Sequence, residues 1–467
     1  MGEERAVRLP AWPYILLAIA LALFNSVGFP LWTGYSGGAT APLAAEPAAV
    51  LPYMLVAALN AAGLLLVGVR SGARGIRARD VLLLAVLTRI AYYAVRFAHG
   101  ALVVDQDVEL FFNYGREFAS GRYPEMEYPQ GALLLFTGEY LLSGGSLAAF
   151  RLVFPLASLL SDLVTLGSLL WLGRRYAVER TSTLLGLFYA LSPFTLALWF
   201  GKFDTVPAAL LALGVALFVA RRYSLSGLAL GIGFLTKWFP GIAIAFFVVY
   251  LLRSRDYRAT LRHAGAAAAA VLLPLAAFWL ISPDRVLYTY SVHMGRPVMG
   301  QSLVYIPVYF LDPGARLPGD TSPWNDTEGG RLGGTATTLI MLAGELLLLA
   351  RLAWKPGREE SAVTLAGLGV AAFILLNRVF SPQFLLVLFV AYSIGFIAQA
   401  MRHRGASSAA IVLLALTLLS YLVWPLWYEE WFGVSVLFFA GNLTVTGWLT
   451  YWDTRRGRAG PEPAVSR

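Results

Sequence analysis

Apolar runs of 17 to 25 residues recur along the whole chain, and no other feature restricts its fold as strongly. A helical run of that length matches the hydrocarbon thickness of a bilayer. Such runs sit near 13–32, 49–69, 80–97, 148–172, 183–200, 204–221, 227–238, 239–252, 265–283, 336–353, 361–377, 382–400, 408–427 and 432–451. The runs are continuous rather than alternating, which argues against a membrane β-barrel. Charged residues make up 13% of the 467 positions, far below the quarter of a soluble protein. The sequence therefore predicts an all-α polytopic membrane protein of roughly 12 to 14 spans, forming one unit over 1–467. The pair 227–238 and 239–252 is short for two crossings, and 131–145 reads either as a further span or as a helix lying on the membrane. The opening M-G-E-E-R-A-V-R-L-P carries two acids, and the run after it lacks a small-residue cleavage site, so this segment is expected to be retained.

The net charge of +9 would suit nucleic acid if it gathered on one soluble face. It follows the membrane instead. With a cytoplasmic N-terminus, the inner segments hold 24 Lys/Arg against 9 Asp/Glu, and the outer ones 11 against 16. This positive-inside bias implies a multi-pass plasma-membrane protein with both termini cytoplasmic. The arginine clusters 70–79, 253–262 and 455–458 suit anionic headgroups, so membrane lipids are expected partners and nucleic acid is not. The chain has no cysteine, which excludes disulfides, thiol catalysis and thiolate-bound metals. Only four histidines are present, which argues against a zinc site.

That orientation gives two long outer loops, 98–147 and 284–335. The first holds V-V-D-Q-D-V-E-L-F-F-N-Y-G-R-E-F-A-S-G-R-Y-P-E-M-E-Y-P-Q-G, residues 103–131. The second opens with a stretch containing H-M-G-R-P-V-M-G-Q-S. Three short elements fall on the same side: F-G-K-F-D-T with Lys202 and Asp204, L-T-K-W-F-P with Lys237, and N-R-V-F-S-P-Q-F with Arg378 and Gln383. Random decoration would scatter such groups over both faces. Charges at membrane depth mark a pathway or a site by default. Lys202, Lys237 and Arg378 oppose the positive-inside bias and lie in or beside turns. Cations so placed suit an anionic group at headgroup level, such as a lipid phosphate. The plain alternative is that each one snorkels to the interface.

Asp105 and Asp107 admit several readings. A D-x-D pair can hold a divalent metal against a nucleotide diphosphate. Nucleotide sugars are cytosolic, however, and this pair faces outward. A carboxylate can also take the proton from an attacking hydroxyl, with a second one tuning it. Asp107 also suits a cap for an amphipathic helix over 107–120 lying on the membrane surface, and the neighbouring glutamates suit a solvated acidic loop. Asp162 and Glu345 lie inside spans and read as helix-packing partners. Tyr114, Trp238, Trp424, Trp427 and Trp431 fit either an interfacial aromatic belt or stacking on a sugar.

The run from Asp107 to Gly131 resembles the first outer loop of glycosyltransferase family 87. This is a branch of the GT-C membrane glycosyltransferases and resembles the polyprenyl-phosphate-mannose-dependent mannosyltransferases. Asp107, Gly121, Glu127, Tyr128, Pro129 and Gly131 fall on the family's pattern, which ends in E-Y-P-P-G-A, with Gln130 at the second proline. F-G-K-F-D-T is similar to a G-Q/N-F-D turn, with Lys202 where an amide is common. L-T-K-W-F-P is similar to an apolar-T-K-x-x-P element. R-P-V-M-G-Q-S resembles R-P-x-Q-x-E-S, with Gln301 at the acidic position. N-R-V-F-S-P-Q-F resembles K-V-x-S-P-Q-Y, with Arg378 at the lysine. Together these elements cover 105–390 in the family's order.

The resemblance implies a GT-C bundle and an enzyme that moves a sugar, mannose first, from a polyprenyl-phosphate donor to a glycan or glycolipid acceptor on the outer face. Asp107, or else Asp105, would be the base. Lys237, Arg296 and Arg378, with Lys202, would face the donor phosphate. Asp204, Glu127, Tyr128, Gln301 and Gln383 would contact substrate. Lys202 would bind phosphate or pair with Asp204. No metal or other cofactor is required by a monophosphate leaving group held by cations, although a divalent metal remains compatible with it. The alternatives are a transporter or flippase for a lipid-linked or anionic substrate, and a multispan scaffold. A transporter should show broken polar helices at mid-membrane and matching halves.

Overall fold

A computed structural model describes residues 12–28, 76–98, 106–192, 201–296, 328–354, 358–381, 383–400 and 432–454, with isolated positions between them. Every regular element among the described residues is helical, and the chain is an all-α polytopic membrane protein. In chain order the helices are α1 (Trp12–Leu23, continued by a π turn Phe24–Gly28), α2 (Ala78–Ala98), α3 (Gln106–Ala119), α4 (Gln130–Leu142) and α5 (Leu147–Arg175). They continue as α6 (Glu179–Leu191), α7 (Thr205–Val219), α8 (Tyr223–Thr236), α9 (Phe239–Arg253) and α10 (Tyr257–Ile281). The last five are α11 (Pro283–Gly295), α12 (Glu328–Trp354), α13 (Glu359–Leu375), α14 (Phe384–Ala400) and α15 (Phe432–Thr454). The expected spans near 49–69 and 408–427 fall mostly or wholly outside the described residues.

Among the described residues, four helices are long and apolar enough to cross a membrane: α2, α5, α10 and α12 from Leu332 on. α10 leaves Leu261, Leu272, Leu273 and Leu280 exposed, and α12 leaves Leu339, Leu346 and Leu347 exposed. Leucines aimed outward along a whole helix match lipid rather than water. α13 and α14 are the opposite case, buried along nearly their full length. Three helices in the middle of the chain are short for a full crossing, as the expected pair 227–238 and 239–252 already was. α7, α8 and α9 have 15, 14 and 15 residues, about 21–23 Å at the helical rise.

Proline explains the breaks. Pro240 has no N–H for the Thr236 carbonyl, so the apolar run 223–253 ends as α8 and restarts as α9, with Lys237 in the gap. Between α13, which ends at Leu375, and α14, which starts at Phe384, Arg378 lies in the gap.

At the end of α6, Pro193 removes the donor for the Tyr189 carbonyl. Side chains from elsewhere satisfy the exposed carbonyls. The Thr195 hydroxyl donates to Tyr189 O at 2.6 Å, and Arg89 donates to Ala190 O at 2.7 Å. Asn25 donates to Leu191 O at 2.7 Å. Arg89 also donates to Asp162 at 2.9 Å, and the Tyr189 hydroxyl donates to the other Asp162 oxygen at 2.5 Å. Both charges are fully buried. Asp162 therefore ties α2, α5 and α6 together, as its reading as a packing partner required. Glu345, read the same way, is buried on α12 beside Gly369 of α13.

The apolar face of α3 lies on protein rather than on the bilayer surface. Val108, Phe111 and Phe112 are buried, and Phe111 stacks on Phe136 of α4 at 4.4 Å. α3 ends at Gly121, whose φ of +83° allows its N–H to reach Phe118 O while Arg122 N–H reaches Glu117 O. α4 has 13 residues, too few to cross, and it abuts α8 at Gly131. A Cβ at Gly131 would sit 2.8 Å from the Leu235 carbonyl.

Removing one member of a buried ion pair strands the other. Arg89→Met is expected to lower stability by about 3 kcal/mol or more, and the double variant Arg89→Met/Asp162→Leu by clearly less. Thermal melting of the purified protein in detergent measures both. Equal losses in the two would remove the pair from the account.

Candidate active site

The breaks and loops that proline and glycine create meet at one end of the bundle. Phe203, in the turn before α7, is wedged against Tyr128 at 5.0 Å, Phe136 at 5.1 Å and Phe111 at 5.4 Å. Asp204, next along, is 1% exposed and accepts a 2.7 Å bond from Lys237 Nζ. Lys237 is itself buried, with its ammonium 4.8 Å from the ring centres of both Phe203 and Phe384. A cation enclosed by rings and one carboxylate is held in one place.

The loop 121–129 is strapped along α11. Glu125 pairs with Arg285, and Glu127 with Arg296. Thr289 donates to Met126 O at 2.9 Å, and the Tyr290 hydroxyl to the Gln130 side chain at 3.2 Å. His293 Nε2 lies 2.6 Å from the Glu127 carbonyl. A carbonyl only accepts, so Nε2 carries the proton. Burial, and then the charge of Lys237, lower the His293 pKa, which keeps the ring neutral at pH 7.

Between these elements lies a cavity of about 290 Å³. Its polar wall holds Glu127, Lys237, His293, Arg296, Asn377, Arg378 and Gln383. Its apolar wall holds Phe239, Met341, Phe373, Val379 and Phe384. Tyr128, Trp238 and Tyr290 supply aromatic surface, with Trp238 edge-on to Tyr290 at 5.2 Å and to His293 at 5.4 Å. Arg378 donates to Gly334 O and Thr338 Oγ1, both at 2.8 Å, and to Arg296 O at 3.2 Å. A fork held by neutral oxygens is pre-aimed, and an anion binds an arginine more strongly than a carbonyl does.

Six of the residues expected to bind donor phosphate or substrate line this cavity: Glu127, Tyr128, Lys237, Arg296, Arg378 and Gln383. Asp204 stands behind Lys237. Asp107 and Lys202 stand outside the lining and pair with each other. Lys202 thus meets Asp107 where Asp204 was one expected partner, because Asp204 is committed to Lys237. Asp107 lies in the first turn of α3 rather than before it. Asp105, Gln301, Trp424, Trp427 and Trp431 lie outside the described residues. Sequence reasoning gave no role to His293, Tyr290, Thr338, Met341 or Asn377. Trp238, a belt candidate, lines the cavity. The signal for His293 was its place in H-M-G-R-P, three residues before Arg296 on the end of α11. Among the described residues no three His, Asp or Glu side chains gather closely enough to hold a metal ion.

A membrane bundle with cations, a carboxylate and aromatic rings around one cavity has the parts of a transferase that works on an anionic, partly apolar substrate. The model of glycosyltransferase family 87 matches residues 127–382, somewhat more than half the chain. The search of curated proteins finds no match. The chain belongs to glycosyltransferase family 87, and is a membrane glycosyltransferase. The matched span takes in all of the cavity lining except Gln383 and Phe384, which follow it directly, and Asp107 precedes it.

The two acid–lysine pairs differ in burial, which separates their energetic roles. Asp204→Ala strands the buried Lys237 ammonium and is expected to destabilise by about 3–5 kcal/mol. Asp107→Ala, in a pair about one-third exposed on the acid, should cost about 1 kcal/mol or less. Denaturant or thermal unfolding of the two variants checks the contrast.

Proposed function

We propose that the protein transfers a sugar, mannose in the first instance, from a polyprenyl-phosphate donor to a glycan or glycolipid acceptor on the outer face of the plasma membrane. The termini would then be cytoplasmic, as the positive-inside bias requires. The observation that carries the reading is the convergence of Lys237, Arg296 and Arg378 on one cavity that is half apolar. Three cations with Glu127 leave a net positive charge for a phosphate monoester, and Phe239, Met341 and Phe373 offer an apolar bed for the first carbons of its lipid.

Asp107 takes the proton from the acceptor hydroxyl. The hydroxyl oxygen bonds to the anomeric carbon as the carbon–oxygen bond to phosphate breaks, and the bonding pair leaves with the phosphate. Negative charge grows on the phosphate, and Lys237, Arg296 and Arg378 meet it with charge already in place. Positive charge grows on the sugar ring, near Glu127 and the Tyr128 ring. Glu127, Tyr128 and Gln383 contact sugar hydroxyls in this reading, which their place in the cavity lining supports. Displacement by one base requires base and leaving group on opposite sides of the reacting carbon. Asp107 stands outside the cavity, on the helix whose Phe111 packs edge-on against the Tyr128 ring of the cavity wall at 5.9 Å. A sugar between Asp107 and the cavity would have that arrangement, with the configuration inverted.

Membranes washed with chelator and given radiolabelled polyprenyl-phosphate-mannose test this. Wild-type transfer to endogenous acceptors should survive the wash, and Asp107→Asn should lower it by about a hundredfold or more. Transfer kept by the variant would move the base to Asp105 or elsewhere. Inertness with mannose, glucose and arabinose donors alike would remove the transferase donor class proposed.

A further inference from the structure

Lys202 occupies a position that the cavity does not explain. It begins a turn whose next two residues are fixed. Phe203 is buried among aromatic rings, and Asp204 is buried against Lys237. The backbone of Lys202 therefore has little freedom, and its side chain runs away from the cavity to the first turn of α3, where it pairs with Asp107. The pair is accessible, with 25% of the Lys202 side chain and 32% of the Asp107 side chain exposed. A lysine that served the donor phosphate would line the cavity beside Lys237, and Lys202 does not.

What the lysine offers the carboxylate is geometry. A carboxylate on a short helix rotates unless something holds it, and a reacting group held in line gains a large effective concentration. When Asp107 takes the acceptor proton, it becomes a neutral acid.

We propose that Lys202 is a positioning residue for sugar transfer, holding the Asp107 carboxylate at the acceptor's approach, and not a ligand of the donor phosphate. This rests on the reading of Asp107 as base.

Lys202→Met removes the ammonium and keeps most of the side-chain volume. It should lower kcat by about tenfold or more, with the donor KM within about threefold of wild type. Binding of polyprenyl monophosphate to the purified protein in nanodiscs should likewise stay within about threefold, whereas Lys237→Met weakens it. Lys202→Arg should recover most of the turnover. Loss of polyprenyl-phosphate affinity in Lys202→Met, parallel to Lys237→Met, would overturn the proposal by making Lys202 a phosphate ligand. Unchanged kcat would overturn it by making the pair incidental, as would failure of Lys202→Arg to recover turnover while its melting temperature matches wild type. Asp107→Asn, run alongside, separates the two readings. A fully active Asp107→Asn fails the base and Lys202 together, while an inactive one with a fully active Lys202→Met fails Lys202 alone.

Discussion

The ion pair between Lys237 and Asp204 is the interaction on which the site depends. Both groups are buried, and neither would be tolerated alone in such a place. Asp204 precedes α7, Lys237 follows α8, and the rings around the ammonium come from the 201–204 turn and from α14. One contact thus joins three parts of the bundle that are distant in sequence. It also presents a cation at a cavity wall without spending the helix interior on it. The neighbouring aromatic cluster carries the constraint onward to α3 and α4, and so to Asp107.

Short helices follow from the same requirement. A full-length span would hide Lys237 and Arg378 in lipid, where a charge is costly. Breaking the apolar runs between α8 and α9 and between α13 and α14 lets these cations sit at helix ends, facing a cavity rather than acyl chains. Long helices such as α10 and α12 then supply lipid-facing surface around the broken ones. The buried Arg89–Asp162–Tyr189 network treats the break after α6 differently. There the freed carbonyls are closed off by side chains, and no cavity results.

Much of this was legible in the sequence, and for identifiable reasons. The gaps holding Lys237 and Arg378 could be read as turns that interrupt apolar runs, although proline alone does not mark them, since Pro155 and Pro274 sit inside α5 and α10. Gly121 and Gly131 stood out in the sequence only through the family pattern, and the end of α3 and the close approach of α4 to α8 emerged from the structure. The helical class followed from run length alone. Partner choice did not follow. Lys202 and Asp204 are two residues apart, yet each pairs elsewhere, because the direction of a side chain in a turn is fixed only by what packs around Phe203. Glu127 finds Arg296 across 169 positions, a pairing that no local pattern encodes. The amphipathic run 107–120 fitted a membrane surface as well as a protein surface, since both reward the same periodicity, and only tertiary packing put it on Phe136.

The central claim is an arrangement: cations for the leaving phosphate in the cavity, and the base outside it, with the sugar between. The anomeric configuration of the transferred sugar tests this most directly. Given a β-linked polyprenyl-phosphate donor, the isolated product should carry an α linkage when its anomeric coupling is read by NMR. A β-linked product would mean two displacements or attack from the cavity side, and would contradict the account.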